Sequence, residues 1–172
     1  MISGSARNAS LNAVLLRALQ SCAPPDQELL FSTRVDALPI FNPDLEGTTM
    51  PEVVRQFSVE IDTADGVIIA CPEYARGVPG GLKNAVDWMV SRQELISKPI
   101  ALAHASYRGD DMLSALRLVL NTVTDRFAER VFLRIPLQST SPPSLNTILQ
   151  NQQNCEKIEQ FLSDFRHYIN AA

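Results

Sequence analysis

Two short apolar runs limit the fold of this chain more than any other feature. The runs "GVIIAC" (66–71) and "PIALAHA" (99–105) do not alternate apolar with polar residues. Strands of that kind are covered on both faces, as in parallel sheets. Two further runs, "ELLFS" (28–32) and "RVFLRI" (130–135), are also too short for a buried helix. We therefore predict a parallel sheet with helices packed on both sides.

Apolar residues recur at helical spacing in five segments around these runs. The segments run from Leu11 to Cys22, Val53 to Ile61, Leu82 to Val90, Met112 to Phe127 and Ile158 to Ile169. Thr49 and Glu52 are expected to form a capping box, and Asp110 or Asp111 to cap the fourth helix. The alternation of strands and helices predicts one α/β domain over residues 1–172, which binds ligands at the carboxyl ends of its strands.

A strand is missing where the pattern requires one. The first helix should follow a strand, but only "MIS" precedes Gly4, and an average strand has about five residues. Either the true start lies upstream, or the chain has been trimmed, or these three residues supply a short stub. We therefore expect the first strand to be truncated or missing.

The composition argues against several classes of function. A net charge of −4 over 172 residues gives little support for nucleic-acid or membrane partners, because both favour a basic face. The three cysteines form no CxxC pair, which argues against a disulfide framework and favours the cytoplasm. His104 and His167 are the two histidines, and no Ser-His-Asp set or carboxylate pair stands out. We predict neither a metal site nor a hydrolytic site.

The segment "SGSARNASLN" (3–12) leads into the first helix. Its Ser5, Ser10 and Asn12 are short hydrogen-bonding side chains, and Arg7 is a cation. Unpaired N–H groups and the dipole at a helix N-terminus suit a phosphate, so the segment is a candidate site for a phosphate monoester. In the alternative interpretation, Ser10 only caps the helix and Arg7 is solvated. The segment matches neither a Walker A loop nor GxGxxG.

The stretch "CPEYARGVPGGLKNAVDWM" (71–89) is the second candidate. Pro72 and Pro79 fix φ, whereas the glycines allow a ligand to approach the backbone. Such a loop can hold a flat ring with polar edges, although "VPGG" alone is also explained as a turn before a helix. In "HASYRGDD" (104–111), Ser106 is expected to add a third wall.

Three other residues in these stretches have ordinary explanations. Cys71 and His104 lie in apolar strands and are expected to be structural. Trp88 is expected to lie in the core or at a subunit interface rather than against a ligand.

Together, "GSARNASLN" and "PEYARGVPGGLKNAVDW" resemble the NADPH-dependent FMN reductase family. The family pattern has Gly-Ser-x-Arg-x-x-Ser-x-Asn early, then Pro-Glu-Tyr, Pro-Gly, Leu-Lys-Asn and Asp-Trp. The resemblance implies a flavodoxin-like three-layer sandwich with a five-stranded parallel sheet in the order 2-1-3-4-5. The truncated or missing first strand would be an interior strand of that sheet.

The resemblance also implies a function. Bound FMN would pass hydride from NADPH or NADH to a quinone or similar small electron acceptor. The alternatives are a reductase that releases reduced FMN to a monooxygenase, and an electron carrier without turnover. No nucleic-acid or membrane partner is implied, and the chain would form a homodimer or homotetramer. By position, the FMN-binding residues are Ser5, Arg7, Ser10, Leu11, Asn12, Pro72, Glu73, Tyr74, Ala75, Arg76 and Ser106.

The chain departs from the family pattern in its loops. Ala75 and Arg76 follow Pro-Glu-Tyr, where an asparagine is common. The change removes an amide and adds a cation suited to the phosphates of NADPH or to a carboxylate on another subunit. The third loop is short and carries Asp110 and Asp111.

Overall fold

The computed structural model describes residues 1–137 and 151–171. In this part of the chain, four parallel strands form one sheet in the order β1-β2-β3-β4. The strands are β1 Ile2–Ser3, β2 Val67–Ala70, β3 Ile100–His104 and β4 Phe127–Arg134. The α/β class and the parallel sheet are confirmed.

The prediction of five strands in the order 2-1-3-4-5 is wrong. Residues 28–32 do not form a strand, although they run beside β1. The Met1 amine donates to the Leu30 carbonyl (2.5 Å), and the Ser32 N–H donates to the Met1 carbonyl (2.9 Å). A regular ladder does not develop here because β1 is only two residues long and offers few backbone groups. The residues "MIS" thus contribute a short strand.

Five α-helices form in the described residues, as the apolar spacing predicted. They are α1 Leu11–Ser21, α2 Glu52–Thr63, α3 Gly80–Val90, α4 Asp110–Val123 and α5 Gln152–Asn170. None of them combines the length and the hydropathy that crossing a bilayer requires.

The fourth helix ends earlier than the apolar pattern predicted, and Phe127 begins β4 instead. Thr124 is the reason. Its hydroxyl donates to the Lys98 carbonyl (2.8 Å) and accepts from the Arg126 N–H (3.0 Å). A side chain that competes for backbone groups in this way favours a turn over continued helix.

The predicted capping box before α2 is also wrong. The Thr49 hydroxyl donates to the carbonyl oxygens of Asp44 and Glu46 within a 3₁₀ turn. Pro51 occupies the N-cap position without a side-chain hydrogen bond, and Glu52 pairs with Arg55 at 3.1 Å.

The sheet separates two apolar cores. Val67 and Ile69 of β2 pack into the core beneath α2, α3 and α4, whereas Ile68 and Ala70 pack into the core beneath α1 and α5. Every residue of β2 and β3 is buried, so the predicted coverage on both faces is confirmed. Consequently, the groups that these strands offer to solvent lie in the loops that follow them.

A close backbone approach occurs where β1 leads into the first loop. The Gly4 N–H donates to the Ala70 carbonyl (2.8 Å) and extends the ladder. A Cβ at Gly4 would lie 2.3 Å from the Cys71 Cβ and 3.0 Å from a Leu82 methyl group. Glycine is therefore required for the chain to pass over the end of β2.

We expect Gly4→Ala to lower the free energy of unfolding by about 1–3 kcal/mol, as overpacking does in a dense interior. Urea unfolding followed by circular dichroism measures the change. The control is Gly80→Ala, because a Cβ there meets nothing within 4 Å and should change stability by no more than about 0.5 kcal/mol. Equal losses in the two variants would contradict the close-approach argument.

Candidate functional site

Three loops lie together at one edge of the sheet, because each follows the carboxyl end of a parallel strand. They follow β1, β2 and β3 and comprise residues 4–10, 71–79 and 105–109. The start of α1, directly after the first loop, is joined to the third loop by the buried Asn12, whose Oδ1 accepts the Ala105 N–H at 3.0 Å. The three segments selected from the sequence therefore line one surface.

The first loop ends in a set of hydrogen-bond donors. Ser10 Oγ accepts the Ala13 N–H (3.1 Å), so Ser10 is the N-cap of α1. The N–H groups of Leu11 and Asn12 donate to no atom of the described residues. Arg7 is exposed, and its guanidinium bonds to none of those residues. Ser10 thus caps the helix and Arg7 is solvated, as the alternative interpretation holds. The N–H groups of Leu11 and Asn12 and the Arg7 guanidinium are also donors that suit a phosphate dianion.

Ser5 and Asn12 are buried side chains whose hydrogen bonds hold this loop and the start of α1 in place. Ser5 is 7% exposed, and its Oγ accepts the Arg7 N–H at 3.2 Å. Its hydroxyl hydrogen can still be donated. Asn12 is 3% exposed and uses its oxygen on the third loop. Both side chains therefore position the donors, whatever further contact they make with a ligand.

Arg34 is a functional candidate that the sequence analysis missed. Its guanidinium donates to the Ala6 carbonyl (2.7 Å) and to the Asn8 side chain. It also pairs with Asp36 at 2.8 Å, and the hydrogen bond lowers the pKa of that carboxyl below its usual value. Nothing in the sequence links position 34 to this loop, because the contact depends on the tertiary fold.

The second loop is a tight hairpin. The N–H of Tyr74 donates to the Gly77 carbonyl (3.1 Å), and the N–H of Gly77 donates to the Tyr74 carbonyl (2.9 Å). Between them, Ala75 and Arg76 have φ of 49° and 61°. Two consecutive positive φ values define a type I′ turn, which usually takes Asn or Gly. The family's common asparagine is thus absent, but the turn itself is formed.

The hairpin is docked on the first turn of α4. Glu73 Oε2 accepts the Met112 N–H at 3.1 Å, so this loop supplies the cap. Arg76 Nε donates to Asp111 Oδ2 at 2.6 Å, and this hydrogen bond raises the arginine pKa above its ordinary value. Arg76 thus pairs with a carboxylate of its own chain.

The predicted cap of α4 by Asp110 or Asp111 is wrong. The N-cap is Gly109, with φ of 115° and no side-chain hydrogen bond. Asp111 binds Arg76, and Asp110 Oδ1 binds Arg134 at 2.7 Å. Both aspartates thus hold arginines that belong to other elements.

Arg134, at the end of β4, holds the third loop in shape. Its Nε donates to the Ser106 carbonyl (2.9 Å), and its Nη2 donates to the Tyr107 carbonyl (2.7 Å). Ser106 Oγ accepts the Arg108 N–H at 3.1 Å. Ser106 is partly exposed. The path of its loop is fixed by Arg134, which no motif indicated.

The buried ring of His104 contacts backbone carbonyl oxygens of both the second and the third loops. Its Nδ1 lies 3.1 Å from the Cys71 carbonyl oxygen, and its Nε2 lies 2.6 Å from the Arg108 carbonyl oxygen. The ring is fully buried, and a Cβ on Gly109 would collide with it at 2.5 Å. His104 is structural, as predicted.

The expected structural roles of Cys71 and Trp88 also hold. Burial raises the pKa of the Cys71 thiol to about 12, which makes this cysteine an inert part of the core. Trp88 is fully buried and donates to the Pro39 carbonyl at 2.7 Å. Asn84 accepts the Phe41 N–H at 2.8 Å, so it anchors the loop after residue 37. No cluster of three or more candidate metal ligands occurs in the described residues.

The exposed surface of the three loops is aromatic and cationic. Tyr74 is 55% exposed and Tyr107 is 64% exposed, while Arg7 and Arg108 are exposed without an ion pair among the described residues. No acid–base pair or accessible nucleophilic thiol lies in these loops. The arrangement suits binding an anionic group and a flat ring better than acid–base catalysis.

Comparison with known proteins supports this interpretation. A family model described as NADPH-dependent FMN reductase matches residues 1–128, a range that contains all three loops. A quinone reductase of Escherichia coli (strain K12) is 36% identical over 106 residues, which are 60% of this chain and 56% of that protein. A 2-hydroxy-1,4-benzoquinone reductase of a Burkholderia species is 43% identical over 88 residues, 51% of this chain and 47% of that protein.

A solved structure is similar over almost the whole chain. FerB, a flavoenzyme NAD(P)H:(acceptor) oxidoreductase from Paracoccus denitrificans, has a TM-score of 0.77 and 25% identity, covering 98% of this chain and 94% of that one. By contrast, the chain spans about half the length of the curated relatives that it matches.

We expect Ala75→Gly to raise the free energy of unfolding by about 0.5–1 kcal/mol, because glycine adopts positive φ without the Cβ penalty. Ala75→Asn should have a smaller effect of the same sign, and Ala75→Val should destabilise. Urea unfolding of the three variants gives the order. Greater stability of the valine variant than of the glycine variant would exclude the type I′ turn.

Proposed function

Since the chain belongs to the NADPH-dependent FMN reductase family, we propose that it is an oxidoreductase that uses bound FMN to carry hydride from NAD(P)H to a quinone or similar small acceptor. The redox chemistry is that of the flavin. The observation that carries the proposal is the set of donors at the start of α1, beside two further loops that present ring-binding surface. Relatives named quinone reductase support the class of acceptor.

The phosphate of FMN would be held by the first loop. The N–H groups of Leu11 and Asn12, the Arg7 guanidinium and the Ser5 hydroxyl are the available donors. The helix dipole contributes about 0.3–1 kcal/mol, whereas each hydrogen bond to a charged group contributes about 1.5–3 kcal/mol. Direct donors, above all Arg7, should therefore dominate the affinity for phosphate, and Ser10 would act by capping the helix.

The ring of FMN would lie against residues 72–76 and Ser106. Glu73 is held by α4, so the loop would present backbone groups rather than a mobile carboxylate. The type I′ turn fixes the path of Ala75 and Arg76, and Tyr74, which precedes them, is 55% exposed. A surface held in this way orients the ring without rearranging on binding, which lowers the entropic cost of binding.

Both NADH and NADPH are proposed as donors of hydride. Arg76 is 83% exposed in its pair with Asp111, and exposed ion pairs are weak. A 2′-phosphate can therefore compete with Asp111 for this guanidinium, which would favour NADPH.

We extend the proposal to the assembly and its location. Residues 1–172 are proposed to form one domain that assembles as a homodimer or homotetramer. Ile40 is 86% exposed and Val90 is 60% exposed, and such apolar area is suited to a subunit contact. The three cysteines are thiols, in keeping with the cytoplasm.

Arg7→Gln should weaken FMN binding by roughly 10- to 100-fold, because it removes one charged hydrogen bond to phosphate. Binding of riboflavin, which has no phosphate, should be unchanged. Quenching of flavin fluorescence measures both dissociation constants. Arg55→Gln, which alters an exposed arginine on α2, is the matched control. Equal losses for FMN and riboflavin would show that Arg7 does not bind the phosphate.

The visible spectrum of the FMN-loaded protein under nitrogen tests the activity. We expect NADPH or NADH alone to bleach the flavin absorbance, and an added benzoquinone to restore it. No bleaching without a partner protein would favour the electron carrier. Bleaching with release of flavin on dilution, and free FMN acting as a substrate, would favour the reductase that supplies a monooxygenase.

A further inference from the structure

Arg34 contacts both chain neighbours of Arg7, the exposed arginine at the start of the first loop. Its Nη2 donates to the Ala6 carbonyl at 2.7 Å, and its Nη1 donates to Asn8 Oδ1. Asn8 is held a second time, because Arg17 Nη2 donates to its carbonyl at 3.0 Å. One guanidinium from a distant part of the chain therefore spans the point at which the Arg7 side chain leaves the backbone.

The Arg34 guanidinium is itself fixed by Asp36. Its Nε donates to Asp36 Oδ1 at 3.0 Å, and its Nη2 donates to Oδ2 at 2.8 Å. Val35, between these two residues, is buried in the core, so the pair is attached to a rigid part of the molecule. A two-bond pair of this kind has a defined geometry and little net charge. The contribution of Arg34 to the first loop is therefore mainly geometric.

The backbone on both sides of Arg7 is held by hydrogen bonds. The Ala6 carbonyl and the Arg7 N–H belong to one planar peptide unit and point in opposite directions. Arg34 binds that carbonyl, while Ser5 Oγ accepts that N–H at 3.2 Å. On the other side, the Arg7 carbonyl accepts the Ser10 N–H at 3.1 Å. The backbone of Arg7 is thus fixed while its side chain remains exposed.

We infer, given the function proposed above, that Arg34 is a positioning residue for phosphate recognition. It holds the backbone on both sides of Arg7, so that the Arg7 guanidinium is presented to the phosphate of FMN. A donor that is held before binding loses less conformational freedom when the ligand arrives, which raises the affinity. Arg34 acts in this role through Arg7 and without touching the ligand.

Lysine should not be able to replace Arg34. The planar guanidinium reaches Asp36, the Ala6 carbonyl and the Asn8 side chain at the same time. An ammonium group is a compact charge on a flexible stem, so it would keep the charge and lose the arrangement. Arg34 is half-exposed, and we expect Arg34→Lys to fold.

The test compares the binding of FMN and riboflavin to Arg34→Lys, measured by quenching of flavin fluorescence. FMN binding should weaken by roughly 3- to 10-fold, the loss that corresponds to one ordinary hydrogen bond, and riboflavin binding should not change. The matched control is Arg55→Lys, because Arg55 also joins a carboxylate, Glu52, to a backbone carbonyl, that of Met50. This control should leave both dissociation constants unchanged.

A double variant separates positioning from direct contact with the phosphate. If Arg34 acts through Arg7, then Arg34→Lys should weaken FMN binding by less than about 2-fold in the Arg7→Gln background. The drop in Tm caused by Arg34→Lys should be the same in both backgrounds, because the backbone contacts of Arg34 do not involve the Arg7 side chain.

Three results would overturn the inference: unchanged FMN binding in Arg34→Lys, equal losses for FMN and riboflavin, or losses that add fully in the double variant with Arg7→Gln. The proposed function is judged separately, by the unaltered protein and by Arg7→Gln alone. An unaltered protein that binds FMN no better than riboflavin would contradict the phosphate site itself and this inference with it. A preference for FMN that Arg7→Gln abolishes and Arg34→Lys leaves intact would overturn only the role of Arg34.

Discussion

The parallel pairing of β2 with β3 is the constraint on which the rest of the molecule depends. Both strands are buried at every residue, so neither can shift by one residue without exchanging the side chains of its two cores. Because the strands are parallel, the loops that leave them must emerge at the same edge. The position of the candidate site thus follows from burial of the strands before any loop residue is considered.

The loops at that edge complete one another's hydrogen bonds. Glu73 of the second loop caps α4, Asn12 of α1 satisfies the third loop, and His104 bridges the end of β2 to the third loop. Arg134 extends the same arrangement to the last strand. In a short loop few backbone N–H and C=O groups are placed to pair with one another, so bonds to neighbouring elements satisfy them and hold the surface in shape.

Local signals were predictable from the sequence, and contacts between distant residues were not. The apolar runs identified β2 and β3, and Ser10 was recognised as a possible cap because capping acts within one helical turn. Residues 28–32 have an apolar pattern typical of a strand, yet they lack a full partner because β1 is short. The end of α4 was misplaced because Thr124 bonds to Lys98, a contact set by tertiary structure.

The same distinction applies within the candidate site. The motifs located all three loops, but Arg34 and Arg134 lie outside every motif and reach the loops through the fold. The pattern also indicated that Ala75 and Arg76 replace a common asparagine. Their positive φ values could not be read from it, because neither residue favours that conformation.

The hairpin at residues 74–77 has a consequence for how the site can vary. Its shape is set by two backbone hydrogen bonds and by tethers from Glu73 and Arg76 to α4, not by the side chain at position 75. The backbone of the hairpin is therefore held by these contacts, while the exposed side chain at its tip can differ. Substitutions at the tip can change the exposed groups at this edge while the hairpin stays attached to α4, so its surface chemistry can change without a change in the fold.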